Sequence, residues 1–265
     1  MKKVRLDQRV FELGFTESRE RAKTTVMSGI VFVNGQRADK PGMPVDPDAD
    51  IEVRGVALPF VSRGGFKLDK ALKVFPIDPA GKTCIDCGAS TGGFTDVLLQ
   101  HGAAKVYAVD SGSGQLAEKL RRDARVVSME KYNARLLSPK DFPVAPTFAT
   151  MDVSFISQTL ILPALYAVLA EQAVLVSLVK PQFEAGREAI GKGGIVKNRA
   201  DRAAAIRRVV DSAVLCGFAF CDATPSPIPG GDGNEEFLCC FSKGGARPAY
   251  TGDVQRLIAQ LTGQR

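Results

Sequence analysis

The sequence predicts a doubly wound α/β domain with a seven-stranded, mostly parallel sheet, preceded by a small α+β domain. From residue 82 onward, short apolar runs alternate with segments of helical periodicity, which is typical of a parallel sheet covered by helices on both faces. The last two apolar runs are separated only by a glycine- and proline-rich segment, 225–234, which predicts a closing hairpin with one antiparallel strand. Residues 1–61 show a different pattern and form the first domain, and residues 62–265 form the second.

The first domain is predicted to combine two helices with short strands. Leu6, Val10 and Leu13 recur at helical spacing, and Gly14 follows as a stop signal. Thr16 opens a second helical pattern. The predicted elements are helices over about 6–13 and 16–28, a strand over 30–36 that runs into an Asn-Gly turn, and a strand over 51–54.

The second domain begins at a flexible junction, because Gly64 and Gly65 are adjacent. Lys67 then opens an amphipathic helix, and strand-like and helix-like segments alternate to the end of the chain. The predicted strands are 83–87, 105–109, 125–129, 147–153, 173–179, 218–223 and 236–241, and the predicted helices lie near 67–75, 93–101, 114–122, 158–170, 199–216 and 252–261.

A glycine-rich turn follows the first of these strands and precedes a helical pattern that starts near Phe94. Such a turn lets backbone N–H groups approach a ligand closely, and the helix start adds partial positive charge. The dinucleotide pattern G-x-G-x-x-G is not met, because Ser90 stands where the second glycine is required. Asp110 ends the next apolar run, where a ribose-binding carboxylate is found in such units. A ligand with a free ribose, a cationic centre and no phosphate, such as S-adenosylmethionine, fits better; a turn that binds no ligand is the alternative.

The segment 86–94, Asp-Cys-Gly-Ala-Ser-Thr-Gly-Gly-Phe, resembles the cofactor motif of the FtsJ-like RNA ribose methyltransferases. Within them the chain most resembles the TlyA family, whose members have been called both haemolysins and rRNA 2′-O-methyltransferases. The resemblance extends over essentially the whole chain and implies a Rossmann-like, S-adenosylmethionine-dependent methyltransferase fold. The cofactor contacts that it implies are Asp86, Gly88, Ser90, Thr91, Gly92, Gly93, Phe94, Asp110 and Asp152.

Charged residues follow the ends of two further strands. Asp152 ends the fourth and Lys180 the fifth, and ligands in open α/β sheets bind beyond these carboxyl ends. In FtsJ-like enzymes a Lys-Asp-Lys-Glu tetrad surrounds the reacting ribose, and the resemblance implies Lys67, Asp152, Lys180 and Glu236 as catalytic residues, with the adjacent Glu235 as the alternative to Glu236. Lys180 is expected to position the 2′-hydroxyl and help to deprotonate it, while the acids orient the lysines. Taken singly, each residue fits a surface salt bridge, and no metal is expected.

The first domain is basic at its start, since residues 1–40 hold nine Lys or Arg against five Asp or Glu. A charge run of this kind is usually a solvated helix face. The order of the segments 5–7, 18–22 and 29–35, however, resembles the RNA-binding domain named after ribosomal protein S-four. A basic face that contacts phosphates is the mechanism this implies. The residues expected to bind RNA are Arg5, Arg9, Arg19, Arg21 and Lys23.

Composition bears on which partners, metal sites and cellular locations the sequence allows. The net charge of +6 favours a polyanionic partner, and no run approaches the ~18 apolar residues that span a membrane. Cys84 and Cys87 form the one C-x-x-C pair, but they point to opposite faces of a strand, and His101 is the single histidine. The basic N-terminus has no apolar stretch behind it, which predicts a cytoplasmic protein without a signal peptide.

The sequence therefore predicts S-adenosylmethionine-dependent 2′-O-methylation of ribose, with cytidine as the family's usual target. The expected partner is ribosomal RNA or a ribosomal subunit. Three alternatives stay open: a membrane-active haemolysin, a non-catalytic RNA-binding ribosome-assembly factor, and a small-molecule methyltransferase. Phe94, Phe155 and Phe183 are candidates for stacking on a base or on adenine, although core packing is the commoner role of phenylalanine. The basic segment 184–199 is predicted to be a mobile loop over the RNA site.

Overall fold

The computed structural model describes residues 3–16, 18–54 and 59–263. Contacts within the chain divide it into two compact units, Met1–Gly65 and Phe66–Arg265. The boundary predicted before Ser62 lies a few residues earlier and remains our proposal for the domain limit.

In its described residues, the first unit consists of two helices and two small antiparallel sheets. Its apolar core includes Leu6, Val10 and Val26. Arg19 starts the second helix, later than predicted, because the Ser18 hydroxyl accepts from the backbone N–H of Arg21 and caps the helix there. The elements are β1 (Val4–Arg5), α1 (Leu6–Glu12), α2 (Arg19–Met27), β2 (Val31–Val33), β3 (Gln36–Ala38), β4 (Pro44–Val45) and β5 (Ile51–Val53).

The first strand predicted in this unit is shorter than expected. It ends at Val33, and Asn34 and Gly35, both with positive φ, turn the chain back into β3. The three strands pair in the order β3-β2-β5, and β1 pairs with β4.

The second unit alternates strands and helices. The elements are α3 (Gly65–Val74), β6 (Thr83–Cys87), α4 (Gly93–Gln100), β7 (Lys105–Val109), α5 (Glu118–Arg121), β8 (Val126–Met129), β9 (Phe148–Met151), α6 (Leu162–Val168), β10 (Ala173–Val179), α7 (Pro181–Glu184), α8 (Arg199–Leu215), β11 (Ala219–Pro225), β12 (Phe237–Lys243) and α9 (Val254–Leu261). In the described part of the chain no helix is both long and apolar enough to cross a membrane.

Seven of the strands described here form one sheet in the order β11-β12-β10-β9-β6-β7-β8. Of these seven strands, β12 alone runs in the direction opposite to the other six, which confirms the predicted fold class. Every residue of β10 is buried, as expected for a strand covered on both faces. The chain order reverses between β6 and β9, so the carboxyl ends of these strands flank the position where ligands bind in such sheets.

Two predicted helices are shorter than expected for identifiable reasons. The helix expected from residue 114 begins only at Glu118, because the Glu130 carboxylate accepts the backbone N–H groups of Gln115 and Leu116. The helix expected from residue 158 begins as a 3₁₀ turn and becomes α-helical at Leu162, where Pro163 occupies the first turn.

Candidate active site and basic surface

A cleft of about 1100 Å³ opens beyond the carboxyl ends of four strands. Gly88 and Ser90 follow β6, Asp110 follows β7, Lys131 follows β8 and Asp152 follows β9, and all five line the cleft. Because parallel strands present their carboxyl ends at the same edge, residues far apart in sequence meet here. The cleft is large enough for a nucleoside-sized ligand together with part of a second one.

Gly88 allows two chain segments to touch at the base of the cleft. Its φ is +85°, and a Cβ atom on it would overlap the backbone carbonyl of Asp152. Gly92 has a different reason to be glycine: its φ is +95°, and a Cβ atom there would overlap the side chains of Leu116 and Leu120. Gly92 therefore permits packing against the segment around α5, whereas the sequence suggested that it permits approach of the ligand.

Asp86 lies beneath the turn and is completely buried. Its two oxygens accept hydrogen bonds from Thr95 Oγ1 at 2.7 Å and Thr150 Oγ1 at 2.9 Å. The carboxylate thus ties α4 and β9 to β6. Five of the nine residues expected to contact the cofactor are not among those that line the cleft: Asp86, Thr91, Gly92, Gly93 and Phe94.

Burial raises the pKa of Asp86 to about 6, above an ordinary value near 3.9. The folded chain therefore binds more protons than the unfolded chain between these pH values, and this group makes stability fall as pH rises through the window. The effect is on the order of 3 kcal/mol. We expect Asp86→Asn to lose this fall, so that urea unfolding at pH 4.5 and pH 7 shows the variant gaining stability relative to wild type at the higher pH. If the difference in unfolding free energy between Asp86→Asn and wild type were the same at both pH values, the raised pKa of Asp86 would be contradicted.

Asp110 connects the turn after β6 to the loop after β7. Its Oδ2 accepts from the Ser90 N–H and its Oδ1 from the Gly112 N–H, both at 2.7 Å. Each carboxylate oxygen retains a further acceptor position. Asp110 is therefore placed at the cleft wall with the capacity to accept hydrogen bonds from two hydroxyl groups.

Backbone strain is concentrated around the cleft. Within the described ranges, four non-glycine residues have positive φ: Asn34, Ser90, Lys131 and Phe155. The last three line the cleft, and such conformations cost about 1–3 kcal/mol unless the surroundings impose them. Phe155 is also 93% exposed, with its ring centroid 5.2 Å from that of Phe183. An exposed aromatic ring is thus held at the mouth of the cleft.

Lys180 follows β10 and is largely buried. Of the four residues expected to be catalytic, Asp152 lines the cleft, whereas Lys67, Lys180 and Glu236 are not among its lining residues. Its Nζ lies 2.6 Å from Asp152 Oδ1 and donates a hydrogen bond to Ser154 Oγ at 2.8 Å. The contact with Asp152 has the distance of an ion pair but not the angles of a hydrogen bond, so Ser154 is the directional partner. Both partners line the cleft, which puts the lysine nitrogen at its edge.

A second lysine–carboxylate pair lies at the neighbouring strand end. Lys67 Nζ, in the first turn of α3, is 2.5 Å from Glu236 Oε2, and both side chains are buried. The register pairs Val179 of β10 with Phe237 of β12, so Lys180 and Glu236 are the next residues along each strand. The four residues of the expected tetrad therefore form two ion pairs at one end of β10 and β12.

Glu235 points elsewhere. Its side chain is 59% exposed and pairs with Arg202 at 2.9 Å. Glu236, in contrast, is buried and contacts Lys67. Of the two adjacent glutamates, Glu236 is the one that joins Lys67.

Several cleft residues were not predicted from the sequence: Lys131, Tyr132, Asn133, Arg135 and Ser154. The first four follow β8, so the rule that pointed to Asp110 after β7 also applies to them. Among the described residues, no group of three or more His, Cys, Asp or Glu side chains is arranged to hold a metal ion.

The basic loop 184–199 is attached to the start of β12. Asn234 is buried, its Oδ1 accepts from the Val196 N–H at 3.0 Å, and its Nδ2 donates to the Gly194 carbonyl at 2.9 Å. At the other end, the buried Glu184 accepts from Ser157 Oγ at 2.6 Å. The contacts of Asn234 therefore hold the loop close to the segment that leads into Glu236.

The cations expected to bind RNA lie on or beside α1 and α2. Arg5 and Arg19 both approach Asp7, at 2.9 and 3.7 Å. The further pairs are Arg9 with Glu12 at 3.7 Å and Lys23 with Glu20 at 2.6 Å, and Arg21 is a partly exposed residue of α2. Glu12 and Glu20 are exposed, and ion pairs with such residues contribute about 0–1 kcal/mol, so exchanging these two carboxylates for a phosphate costs little.

Comparison with known proteins adds the following similarities. A model of the FtsJ-like methyltransferase family matches residues 60–243, and an S4 domain model matches residues 4–51. A provisionally named rRNA methyltransferase, YqxC, from Bacillus subtilis (strain 168) is 52% identical over 238 residues, covering 89% of this chain and 85% of that protein. The 16S/23S rRNA (cytidine-2′-O)-methyltransferase TlyA from Mycobacterium tuberculosis (strain ATCC 25618 / H37Rv) is 42% identical over 238 residues, covering 89% of each. A solved structure of a provisionally named hemolysin from Streptococcus thermophilus is 47% identical, covers 100% of this chain and 97% of that chain, and superimposes with a TM-score of 0.77.

Proposed function

The chain belongs to the FtsJ-like methyltransferase family, and from this premise we propose that it methylates the ribose 2′-hydroxyl of a cytidine in ribosomal RNA, with S-adenosylmethionine as the methyl donor. The observation that carries the proposal is the two lysine–carboxylate pairs at the ends of β9, β10 and β12, Lys180 with Asp152 and Lys67 with Glu236. The similarity to a cytidine-2′-O-methyltransferase supports the choice of nucleoside.

The cleft fits the proposed donor. Gly88 leaves room at its base where any side chain would collide with the carbonyl of Asp152, and Asp110 offers acceptor positions for two ribose hydroxyls. We assign Gly88, Ser90, Asp110 and Asp152 to hold the cofactor. When bound, S-adenosylmethionine supplies an electrophilic methyl group on a sulfonium centre.

Lys180 is proposed to act on the ribose hydroxyl. A hydroxyl that becomes methylated must lose its proton, and a positioned lysine in its neutral form can accept it. Asp152 and Ser154 fix the Nζ atom, so the hydroxyl that bonds to it is also fixed in direction. Alignment of this kind can supply a large part of the rate enhancement.

Lys67 and Glu236 are proposed to support this arrangement. Their buried pair leaves no uncompensated charge beside Lys180, whereas removal of one partner would strand the other charge in the interior. We assign Glu236 to orient Lys67, and both residues to shape the ribose site at the ends of β10 and β12.

Phe155 is proposed to contact the target base. Its ring is 93% exposed at the mouth of the cleft, and its backbone is held in a strained conformation. Stacking of a base on an aromatic side chain contributes about 1–3 kcal/mol, and RNA enzymes gain access to a ribose most easily when its base is splayed out of the helix.

The N-terminal unit is proposed to bind ribosomal RNA or ribosomal subunits through Arg5, Arg9, Arg19, Arg21 and Lys23. The match to an S4 domain and the nine Lys or Arg against five Asp or Glu in residues 1–40 support the proposal. A ribosomal substrate places the reaction in the cytoplasm.

The test is methyl transfer to ribosomal subunits purified from cells that lack the protein. With tritiated S-adenosylmethionine, we expect label in ribosomal RNA at a ribose whose 3′ phosphodiester resists alkaline hydrolysis. Label on a base would overturn the 2′-O assignment, and no label on either subunit would favour the binding-protein alternative. Release of haemoglobin from erythrocytes by the same preparation would instead support the function named for the hemolysin-like relative.

A further inference from the structure

One carboxylate in the N-terminal unit lies between two of the proposed RNA-binding arginines. Asp7 is completely buried, while the side chains of Arg5 and Arg19 are 50% and 48% exposed. Arg5 Nε donates to Asp7 Oδ1 and Arg5 Nη2 to Asp7 Oδ2, both at 2.9 Å, and Arg19 Nε lies 3.7 Å from Oδ2. The backbone N–H of Gln8 also donates to Oδ1 at 2.9 Å.

Asp7 is ionised in this setting. Burial alone would raise its pKa, but the hydrogen bonds from Arg5 and Gln8 outweigh burial, and the pKa lies below its usual value. The backbone holds the carboxylate in place as well, because the N–H groups of Leu6 and Asp7 donate to the carbonyls of Met43 and Pro41, each at 2.9 Å.

The contact uses only one edge of the Arg5 guanidinium. Nε and Nη2 face Asp7, and Nη1 has no hydrogen-bond partner among residues 3–16, 18–54 and 59–263. Nη1 lies beside Gly42, where a Cβ atom would come within 3.2 Å of it. A guanidinium presents its donors in a rigid plane, so fixing one edge also fixes the direction of the other.

We infer that Asp7 is a positioning residue of the RNA-binding surface, which orients Arg5 and holds Arg19 beside it so that both cations face the same stretch of RNA phosphates. The inference rests on the proposed binding of RNA by these two arginines. Arginine binds phosphate best through two parallel N–H donors, and this requires an orientation that a freely rotating side chain does not keep.

The inference predicts the opposite of what net charge alone predicts for a variant of Asp7. Removing an acidic group from a basic surface should strengthen attraction to a polyanion. Asp7→Asn should nevertheless weaken RNA binding about tenfold, because Arg5 Nε and Nη2 each bond to a different oxygen of Asp7, and asparagine replaces one of these oxygens by an NH2 group that faces a guanidinium donor. Glu12→Gln and Glu20→Gln are matched controls. These acids also pair with cations of the surface, but they are exposed, and their removal should leave affinity unchanged or slightly increase it.

The experiment measures binding of the full chain to a labelled transcript of 23S ribosomal RNA at several salt concentrations. Arg5→Ala should also lose about tenfold, and the double variant Arg5→Ala, Asp7→Asn should lose clearly less than the two single losses combined, since part of the effect of Asp7 is exerted through Arg5 and the rest through Arg19. The slope of log affinity against log salt should become shallower by about one phosphate contact in each case. If Asp7 only stabilised the fold, the losses of binding free energy in Arg5→Ala and Asp7→Asn would add up in the double variant.

The outcomes separate this inference from the proposed function. If Arg5→Ala weakens binding while Asp7→Asn behaves like Glu12→Gln, the inference about Asp7 is wrong and RNA binding by the surface stands. If Arg5→Ala binds normally, Arg5 does not contact RNA and the inference fails, whether or not the other four basic residues bind RNA. If Asp7→Asn does not fold, Arg5→Lys decides: it keeps both charges but cannot make the two-pronged contact, so a folded Arg5→Lys with wild-type affinity would overturn the inference.

Discussion

Replacing Lys180 by alanine is expected to reduce methyl transfer at least a thousandfold while RNA binding and the fold survive. The lysine nitrogen is held by Asp152 and Ser154, both of which line the cleft, and removal of a positioned acid–base group typically costs 10²–10⁴ in rate. Loss of alignment of the ribose hydroxyl adds to this cost. Because Lys180 follows β10 and Asp152 lines the open cleft, the remaining carboxylate can be hydrated and the variant should stay folded.

Tritiated-methyl incorporation into ribosomal subunits measures this effect, alongside binding of the same variant to ribosomal RNA. Lys180→Arg should fail as well, since guanidinium keeps its proton and has a different shape. Lys140→Ala is the matched control, because Lys140 is an exposed lysine in the short turn Pro139–Asp141. Turnover in Lys180→Ala equal to that of the Lys140 variant would remove Lys180 from the catalytic assignment.

The sequence predicted strand limits best where a continuous apolar run meets a residue unsuited to burial. Thr83–Cys87 and Ala173–Val179 have the predicted limits, and they end at a glycine with positive φ and at a lysine followed by proline. Because residues next to the strand decide these boundaries, one sequence is sufficient to predict where such a strand ends. The parallel arrangement of most strands follows from the same alternation, and the closing antiparallel pair follows from the short separation of the last two strands.

Contacts between distant segments could not be predicted in this way. The helix expected from residue 114 is delayed by the Glu130 carboxylate, and no local pattern shows which backbone donors it accepts. The need for glycine at position 92 arises from the side chain of Leu120 in the next helix, which a Cβ atom would overlap. Lys67 and Glu236 are 169 positions apart, and only the resemblance to a family with a four-residue site joined them in advance.

The orientation of single side chains was the least predictable feature. The three candidate stacking residues were equivalent in the sequence, yet Phe94 is buried and Phe155 is 93% exposed. The difference arises from the positive φ of Phe155, which turns its ring out of the chain segment after β9. A bulky residue in this conformation is uncommon, and nothing in the neighbouring residues announces it.

Replacing Gly88 by alanine is expected to weaken binding of S-adenosylmethionine at least a hundredfold. An added Cβ would overlap the backbone carbonyl of Asp152, and since a backbone atom cannot rotate away as a side chain can, the segments after β6 and β9 must separate. Their separation moves Ser90 and Asp152, both of which line the cleft, and the positive φ adds about 1–2 kcal/mol of strain for any residue but glycine.

Gly81→Ala separates the two causes, because Gly81 has φ of +70° but no atom within 4 Å of its Cβ position. Calorimetric titration should show Gly81→Ala less stable with unchanged affinity, and Gly88→Ala deficient in binding at a temperature where it remains folded. Wild-type affinity in Gly88→Ala, or tighter binding of NAD than of S-adenosylmethionine by the unaltered protein, would show that the turn after β6 does not hold the proposed cofactor.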